Sequence, residues 1–155
     1  MTAPEISLVV PLYNEEENLA ELAGEIRAAM ARLGRPYEVL LVDDGSTDGS
    51  LEALRALAAA DPHLRILRHR RNAGQSAGLA TGFRAARGRV VVTLDADLQN
   101  DPADVPRLLA ELERGFDVVS GVRVERHDNW TRRISSRVAN AVRNWATDES
   151  ITDVG

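Results

Sequence analysis

Four short apolar runs in this chain each end in a group of polar residues, and a helical pattern follows each group. Strands covered by helices on both sides are continuously apolar rather than alternating, so this pattern predicts parallel strands joined by helices. The predicted strands are Ile6–Leu12, Tyr37–Val42, Leu64–Leu67 and Arg89–Leu94. In a parallel sheet the carboxyl ends of all strands lie at one edge, where α/β proteins bind their ligands. We therefore expect the four polar groups to meet in one crevice.

Apolar residues at three- and four-residue steps predict the helices between and after these strands. The predicted helices are Glu15–Leu33, a second that follows Ser46 or Thr47 and runs to about Ala60, Ala77–Arg87, a fourth from Pro102 to about Arg114, and Trp130–Trp145. We expect Asn14 to cap the first and Ser46 or Thr47 to cap the second. The glycines at positions 74, 78 and 82 suggest a close approach of backbone to the sheet or to a ligand. A fifth strand is predicted at Asp117–Val122, and Val90–Leu94 is expected at the centre of the sheet. The fold class is an α/β/α sandwich with a mostly parallel central sheet.

Length and composition restrict the possible classes of function. A chain of 155 residues predicts a single domain over residues 1–155. The chain has no cysteine, which excludes disulfides and thiolate metal sites, and its net charge of −5 argues against nucleic acid as a partner. No leader peptide or apolar run of about 20 residues is visible, so the expected location is cytoplasmic.

The sharpest chemical signal is the group Asp95-x-Asp97-x-Gln99 after the fourth strand. Alternate residues leaving a strand point the same way, so three oxygen-bearing side chains would face one point. Hard oxygen ligands suit Mg²⁺ or Mn²⁺, which keep water and take further ligands from substrate phosphates. The alternative is a polar loop in which Asp101 caps the next helix.

Two further groups could hold a nucleoside. Asp43 and Asp44 end the second strand, where an acidic residue can accept hydrogen bonds from a base or a ribose. Tyr13 and Glu15 follow the first strand and could contact the base and the ribose. The alternative at both places is an ordinary capped turn.

Arginines cluster late in the chain, where they could pair with phosphate. Arg123 follows the predicted fifth strand, and Arg132, Arg133 and Arg137 lie in the predicted last helix. The alternative is a solvated helix face. The three histidines show no spacing typical of a metal site or a catalytic triad, and the Gly-rich fingerprints of NAD enzymes and P-loop NTPases are absent.

Taken together, these motifs resemble the family 2 glycosyltransferases of the GT-A fold, and most of all the dolichyl- or polyprenyl-phosphate sugar transferases. They follow the family's order and cover nearly the whole chain. The motifs are Val10-Pro11-Leu12-Tyr13-Asn14-Glu15-Glu16, Val42-Asp43-Asp44-Gly45-Ser46-Thr47-Asp48, Asn72-Ala73-Gly74-Gln75, Leu94-Asp95-Ala96-Asp97-Leu98-Gln99 and Ser120-Gly121-Val122-Arg123.

The resemblance implies a role for each matching residue. The residues implied to bind the donor nucleotide are Pro11, Tyr13, Asn14, Glu15, Asp43, Asp44 and Gly74. Asp95, Asp97 and Gln99 would hold Mg²⁺ or Mn²⁺ against the diphosphate. Arg123 and Arg132, with Ser136, would meet the phosphate of a lipid acceptor or of the donor.

The implied activity is the transfer of a sugar, with inversion, from a GDP- or UDP-linked donor to a polyprenyl phosphate. A peripheral contact with the cytoplasmic face of a membrane is implied for a longer protein. Three alternatives stay open: a nucleotide-binding module without transfer activity, a transferase acting on a saccharide hydroxyl, and a phosphohydrolase. Family members continue beyond the motif that begins at Ile151-Thr152-Asp153-Val154-Gly155, so we expect this chain to be a truncated form.

Overall fold

A computed structural model of the chain describes residues 3–121. The chain divides into two units between residues 110 and 111, and the four strands of the described residues lie in the first unit. The strands are β1 (Ile6–Leu12), β2 (Tyr37–Asp43), β3 (Leu64–Arg68) and β4 (Val90–Thr93). The helices are α1 (Leu19–Leu33), α2 (Ser50–Ala60), α3 (Gln75–Ala85) and α4 (Val105–Leu112), the last preceded by a 3₁₀ turn at Pro102–Asp104.

All strand pairs are parallel, and the described sheet has the order β3-β2-β1-β4. This arrangement confirms the predicted α/β class with a mostly parallel sheet. The prediction that β4 is central was wrong for the described sheet, where β4 lies at an edge and Val91 is 40% exposed. Val92 of β4 belongs to the same apolar cluster as residues of α1 and α4, but the crossover connections determine the place of β4 in the strand order.

The sheet has a helical layer on each face. On one face, Leu8, Val10 and Leu12 of β1 belong to a large apolar cluster that also contains buried residues of α1, α2 and α4. On the other face, Val9 of β1 belongs to a smaller cluster that includes residues at and beside α3. Alternate residues of β1 therefore enter different cores, as the two-residue period of a strand requires.

The close approach predicted from the α3 glycines is confirmed at two of the three positions. A Cβ atom at Gly82 would lie 2.2 Å from Val9 Cγ1, and one at Gly78 would lie 2.9 Å from Pro11 Cβ. The backbone of α3 thus rests directly on β1. Gly74 has a different role, because it precedes the helix with φ of +91°.

Two other element predictions were wrong in the described residues. Helices α1 and α2 begin at Leu19 and Ser50, several residues later than predicted, because the polar residues expected to cap them bond elsewhere. Residues 117–121 form no strand, and Val118 is 83% exposed, since two valines without a neighbouring strand in the described part of the chain do not make a ladder. The predicted helix at Trp130–Trp145 lies outside the described residues.

Candidate functional site

The four strand-end groups lie at one edge of the sheet. Because all described strands are parallel, the loops after β1, β2, β3 and β4 leave the sheet on the same side. This confirms the expectation that the four groups share one edge of the sheet. The side chains at that edge, however, contact one another in ways that the sequence pattern does not indicate.

The loops after β1 and β2 are joined by reciprocal hydrogen bonds around Asn14. The backbone N–H of Asn14 donates to Ser46 Oγ at 3.0 Å, and the backbone N–H of Thr47 donates to Asn14 Oδ1 at 2.8 Å. Asn14 adopts the left-handed conformation, with φ of +57°. The predictions that Asn14, Ser46 or Thr47 cap helices were therefore wrong, since these groups join two loops instead.

The same pair of loops is joined again through the two glutamates. The N–H of Glu15 donates to Ser50 Oγ at 3.0 Å, and Glu16 Oε2 accepts from the N–H of Gly49 at 2.9 Å. Glu15 Oε2 also accepts from Asn18 Nδ2 at 2.6 Å. These bonds make the loops after β1 and β2 one connected rim.

Two of the predicted donor-binding residues of β1 and its loop differ in exposure. The ring of Tyr13 is 41% exposed at the crevice edge, so it is available to a ligand. Pro11 is buried against Gly78 of α3. Pro11 therefore shapes the floor of this edge, and Tyr13 offers an accessible surface.

Asp43 is completely buried at the end of β2. Its Oδ1 atom accepts from the N–H of Ser46 at 2.8 Å, which closes the turn after the strand. Arg68 Nε lies 3.2 Å from Oδ2, close enough for an ion pair. The alignment is too poor for a hydrogen bond, so Oδ2 is the single buried side-chain polar atom without a hydrogen-bond partner in residues 3–121. The charge of this atom is balanced, while its capacity to accept a hydrogen bond is unused.

Asp44 organises the loop between β3 and α3. Its two carboxylate oxygens accept from the backbone N–H groups of Ala73 and Gly74, the latter at 2.7 Å. His69 Nδ1 lies 2.6 Å from Asp44 Oδ1, and His69 Nε2 lies 2.8 Å from Thr81 Oγ1. A chain of hydrogen bonds thus runs from β2 through His69 to the middle of α3.

The environment of Asp44 favours its ionised form. Burial raises the pKa of this carboxyl, but the hydrogen bonds from His69 and from the Ala73 and Gly74 N–H groups lower the pKa by more. Asp44 is therefore a charged residue with three donors around it. In this state it positions the loop and presents little surface to a ligand.

Asp95 follows β4 and is tied to the start of α3. Gln75 Nε2 donates to Asp95 Oδ1 at 2.8 Å, and the N–H of Asp95 donates to Asn100 Oδ1 at 3.1 Å. Since Gly74 contacts Asp44 and its neighbour Gln75 contacts Asp95, the carboxylates of two different strands are linked through adjacent residues. The acidic groups after β2 and β4 therefore share one rim.

Asp97 and Gln99 lie beyond Asp95 in an exposed turn. The N–H of Gln99 donates to Asp97 Oδ1 at 3.1 Å, and Leu98 between them has φ of +59°. Within residues 3–121 no three His, Asp or Glu residues are placed to hold a metal ion. Two carboxylates with an amide oxygen nevertheless suit Mg²⁺ or Mn²⁺, which complete their coordination with water and substrate phosphate. The donor set fits the predicted cation.

The remaining predicted site residues, Arg123, Arg132 and Ser136, lie outside the described residues. Among the described ones, the sequence motifs assigned no role to three residues that join the site. His69 and Thr81 continue the hydrogen-bond chain from Asp44, and Gln75 contacts Asp95. Gln75 belongs to one of the motifs shared with the family, so the sequence does contain a signal for its role. His69 and Thr81 are twelve residues apart, and no sequence period marks them as partners.

Comparison with known proteins places these motifs in a family. The family model described as glycosyl transferase family 2 matches residues 7–152. The undecaprenyl-phosphate 4-deoxy-4-formamido-L-arabinose transferase of Edwardsiella ictaluri is 43% identical over 97% of this chain, which covers 46% of that protein. The protein of the same name from Pectobacterium atrosepticum is 44% identical with the same coverage. The chain thus spans about half the length of the curated relatives it matches.

Solved structures share the fold. The mannosyltransferase PcManGT from Pyrobaculum calidifontis, in complex with GDP-Man and Mn²⁺, aligns with a TM-score of 0.58 and 30% identity over 79% of this chain and 36% of that one. TarS of S. aureus in complex with UDP-GlcNAc aligns with a TM-score of 0.58 and 22% identity over 79% of this chain and 37% of that one. The predicted GT-A type of α/β fold is therefore confirmed.

Proposed function

Because the chain belongs to glycosyl transferase family 2, we propose that it contributes the donor-binding part of an inverting glycosyltransferase acting on a polyprenyl phosphate. The observation that carries this proposal is the shared rim, on which Gly74 and Gln75 link the carboxylates of Asp44 and Asp95. The polyprenyl phosphate acceptor is suggested by the two relatives that are 43% and 44% identical to the chain, which are undecaprenyl-phosphate sugar transferases by name.

The nucleoside of the donor binds at the rim formed by the loops after β1 and β2. Tyr13 offers its exposed ring to the base, and Pro11 supports the floor beneath. Asn14 and Glu15 hold the two loops together, which keeps the rim in one shape. Asp43 is proposed to accept from an N–H or O–H group of the nucleoside through Oδ2, which is fully buried in this structure and would have to be exposed by a local movement first. The donor is a GDP- or UDP-linked sugar.

The diphosphate of the donor lies toward β4. Asp95, Asp97 and Gln99 would hold the divalent cation there, and Gln75 would orient Asp95. When bound, a divalent cation neutralises the negative charge that develops on the leaving nucleoside diphosphate. The exposed turn at Asp97 leaves room for the water and phosphate oxygens that Mg²⁺ or Mn²⁺ retains.

The acceptor oxygen forms a bond to the anomeric carbon from the side opposite the leaving diphosphate, which inverts the configuration. A phosphate monoester has a second pKa of about 6, so it is largely deprotonated at neutral pH and needs little help from a general base. Arg123 and Arg132, together with Ser136, are proposed to bind the acceptor or donor phosphate. Because such an acceptor is a membrane lipid, we propose that the protein acts at the cytoplasmic face of a membrane. Among residues 3–121, no helix is long and apolar enough to cross a membrane.

Calorimetric titration tests donor binding in the chain itself. UDP and GDP are titrated into the 155-residue chain with and without Mn²⁺, and one nucleotide is expected to bind with Mn²⁺ and much more weakly without it. If neither nucleotide binds under either condition, the proposed donor site is wrong. Binding that is equally tight without Mn²⁺ would contradict the cation site alone.

Transfer is tested by following lipid-linked sugar formed from UDP- and GDP-sugars and a polyprenyl phosphate. The relative from Edwardsiella ictaluri serves as the positive control for the assay. A second candidate function is a nucleotide-binding module without transfer activity, since the rim joined by the bonds of Asn14, Ser46 and Thr47 could hold a nucleotide by itself. Mn²⁺-dependent nucleotide binding without product would support this second candidate, and product formed on a saccharide hydroxyl would change the acceptor class.

A further inference from the structure

Positive charge is concentrated in one part of this acidic chain. The stretch from Pro62 to Leu94 contains seven arginines and no acidic residue, whereas the whole chain has a net charge of −5. This stretch forms β3, α3 and β4. Because α3 packs on the face of the sheet opposite α1 and α2, Arg84 of α3 lies on that side of the described structure.

An open cleft of about 530 Å³ lies beside β3 and α3 in this basic region. Its lining includes Arg68, Arg70, Arg71, Ala77, Ala80 and Arg84. Residues 77, 80, 81 and 84 share one face of α3, since they are three or four positions apart. The alanines leave space, and the arginines surround that space with positive charge.

Three arginines of this cleft have no ionic partner within residues 3–121. Arg70, Arg71 and Arg84 are exposed and form no ion pair in that part of the chain, whereas Arg65 pairs with Glu38 and Arg68 with Asp43. A guanidinium without a carboxylate can bind a phosphate through two parallel hydrogen bonds. The cleft is therefore ready to accept phosphate groups.

An exposed aromatic ring accompanies these arginines. Phe83 of α3 is 49% exposed. Arg84 follows Phe83 directly, and Arg87 lies four positions after Phe83. An aromatic ring among exposed arginines is typical of surfaces that enter the headgroup region of a bilayer. Exposing such a ring to water is unfavourable in free energy, and contact with lipid buries it.

We propose that this basic face, defined by Arg70, Arg71, Phe83 and Arg84, docks on a bilayer of anionic phospholipid, with lipid phosphates in the cleft and the ring of Phe83 among the headgroups. The cleft shares His69 and Thr81 with the hydrogen-bond chain of Asp44, but its lining includes neither Asp95 nor Asp97. The inference adds a membrane-contact surface to the proposed function and rests on it only for the lipid nature of the acceptor. The charge and exposure that support it are properties of the described residues.

Vesicle binding tests the proposal directly. The 155-residue chain is sedimented with vesicles of phosphatidylcholine alone or mixed with phosphatidylglycerol, and we expect binding to the anionic vesicles only. The double variant R70Q/R84Q should bind about 25-fold more weakly, since one arginine near an anionic surface contributes about fivefold. Phe83→Ser should remove the part of the binding that persists at high salt. Salt screens the attraction of the arginines to the lipid but not the burial of the Phe83 ring.

The matched control is R32Q/R55Q, which removes the same charge from the exposed faces of α1 and α2. It should bind anionic vesicles as the unchanged chain does. An equal loss of vesicle binding in both double variants, or no loss in R70Q/R84Q, would overturn the proposal. Failure of the unchanged chain to bind anionic vesicles would overturn it as well.

Inorganic pyrophosphate separates a lipid headgroup from a soluble ligand. If the chain binds pyrophosphate through Arg70 and Arg84 but does not bind the vesicles, the cleft is a site for soluble phosphates and the docking proposal is wrong. No sugar donor is present in these measurements. Their failure would therefore leave the proposed transfer untouched, and failure of transfer would leave the docking result untouched.

Discussion

Gln75 Nε2 donates a hydrogen bond of 2.8 Å to Asp95 Oδ1, which joins the first residue of α3 to the end of β4. The preceding residue, Gly74, donates its N–H to Asp44 at the end of β2. The strand β1 separates β2 from β4 in the sheet, so the start of α3 bridges two strands that do not touch. The position of Asp95 therefore depends on the same loop that Asp44 organises.

Replacing Gln75 by alanine should weaken Mn²⁺-dependent nucleotide binding by about tenfold, because Asp95 loses the donor that orients it. Helix α3 should keep its stability, since alanine is a better helix former than glutamine. The measurement is calorimetric titration with Mn²⁺ and the nucleotide that binds the unchanged chain. Ser76→Ala, at the exposed neighbouring position, is the control and should bind normally. Equal affinities of the two variants would show that Gln75 does not orient the site.

Asp97→Asn should lower Mn²⁺-dependent nucleotide affinity by more than about tenfold, because an amide binds a divalent cation less well than a carboxylate does. The turn itself should survive, since an Asn side chain can also accept from the N–H of Gln99. The matched control is Asp101→Asn, where the side chain only accepts from the N–H of Ala103 at a helix start. If both variants lose affinity equally, the loss comes from removing a negative charge near the site and not from removing a ligand of the cation.

Asp44→Asn should lower the free energy of unfolding by about 3 kcal/mol, because the buried carboxylate that accepts from His69, Ala73 and Gly74 loses its charge. Urea denaturation measures this change. Asp104→Asn breaks an exposed ion pair with Arg107 and should cost less than about 0.5 kcal/mol. A similar small cost at Asp44 would mean that the loop does not depend on the charge.

The same chemical change at two glycines should have opposite effects. Gly82→Ala should destabilise the protein by about 2 kcal/mol, because the new Cβ would lie 2.2 Å from Val9 Cγ1. Gly24→Ala should stabilise it by about 1 kcal/mol, since Gly24 lies inside α1 with no atom within 4 Å of the added Cβ. Thermal or urea unfolding of both variants checks this contrast. A stabilising Gly82→Ala would contradict the contact of α3 with β1.

Stability should fall in acid through buried carboxyls such as Glu38. Burial raises the pKa of Glu38, but hydrogen bonds from Arg65, Ser7 and the Arg87 N–H lower it overall below its ordinary value of 4.5. A lowered folded pKa contributes stability that is present above the unfolded value and lost as pH falls through the folded value. We therefore expect constant stability near neutral pH and a decline below about pH 4.5.

Glu38→Gln tests this origin of the acid sensitivity. The variant should be less stable at pH 7 and should lose less stability than the unchanged chain between neutral pH and acid, as measured by urea denaturation at several pH values. Glu52→Gln, at a position whose side chain is 71% exposed, is the control and should keep the original profile. An unchanged slope for Glu38→Gln would place the acid sensitivity elsewhere.

Hydrophobic pattern predicted the strands well and the helix starts poorly. The four apolar runs became β1 to β4 within one or two residues. The pattern is clearest for β1 and β2, which are buried on both faces and are therefore apolar along most of their length. Helices α1 and α2 start later than predicted because Asn14, Ser46 and Thr47 bond to the opposite loop rather than to their own helix ends. Asn, Ser and Thr are common both as helix caps and as residues that join two loops, so the sequence alone does not distinguish the two roles.

In the candidate site, too, the sequence pattern determines one part and the tertiary structure another. Strand type and direction, which follow from local pattern and from the need for crossover helices, are enough to bring Asp43, Asp44 and Asp95 to one edge. The partner of each polar atom depends on residues far away along the chain, such as His69 for Asp44 and Gln75 for Asp95. Those pairings arise from the order of strands and the path of the loops, because hydrogen bonds act over about 3 Å and no periodic pattern encodes so short a distance between remote segments.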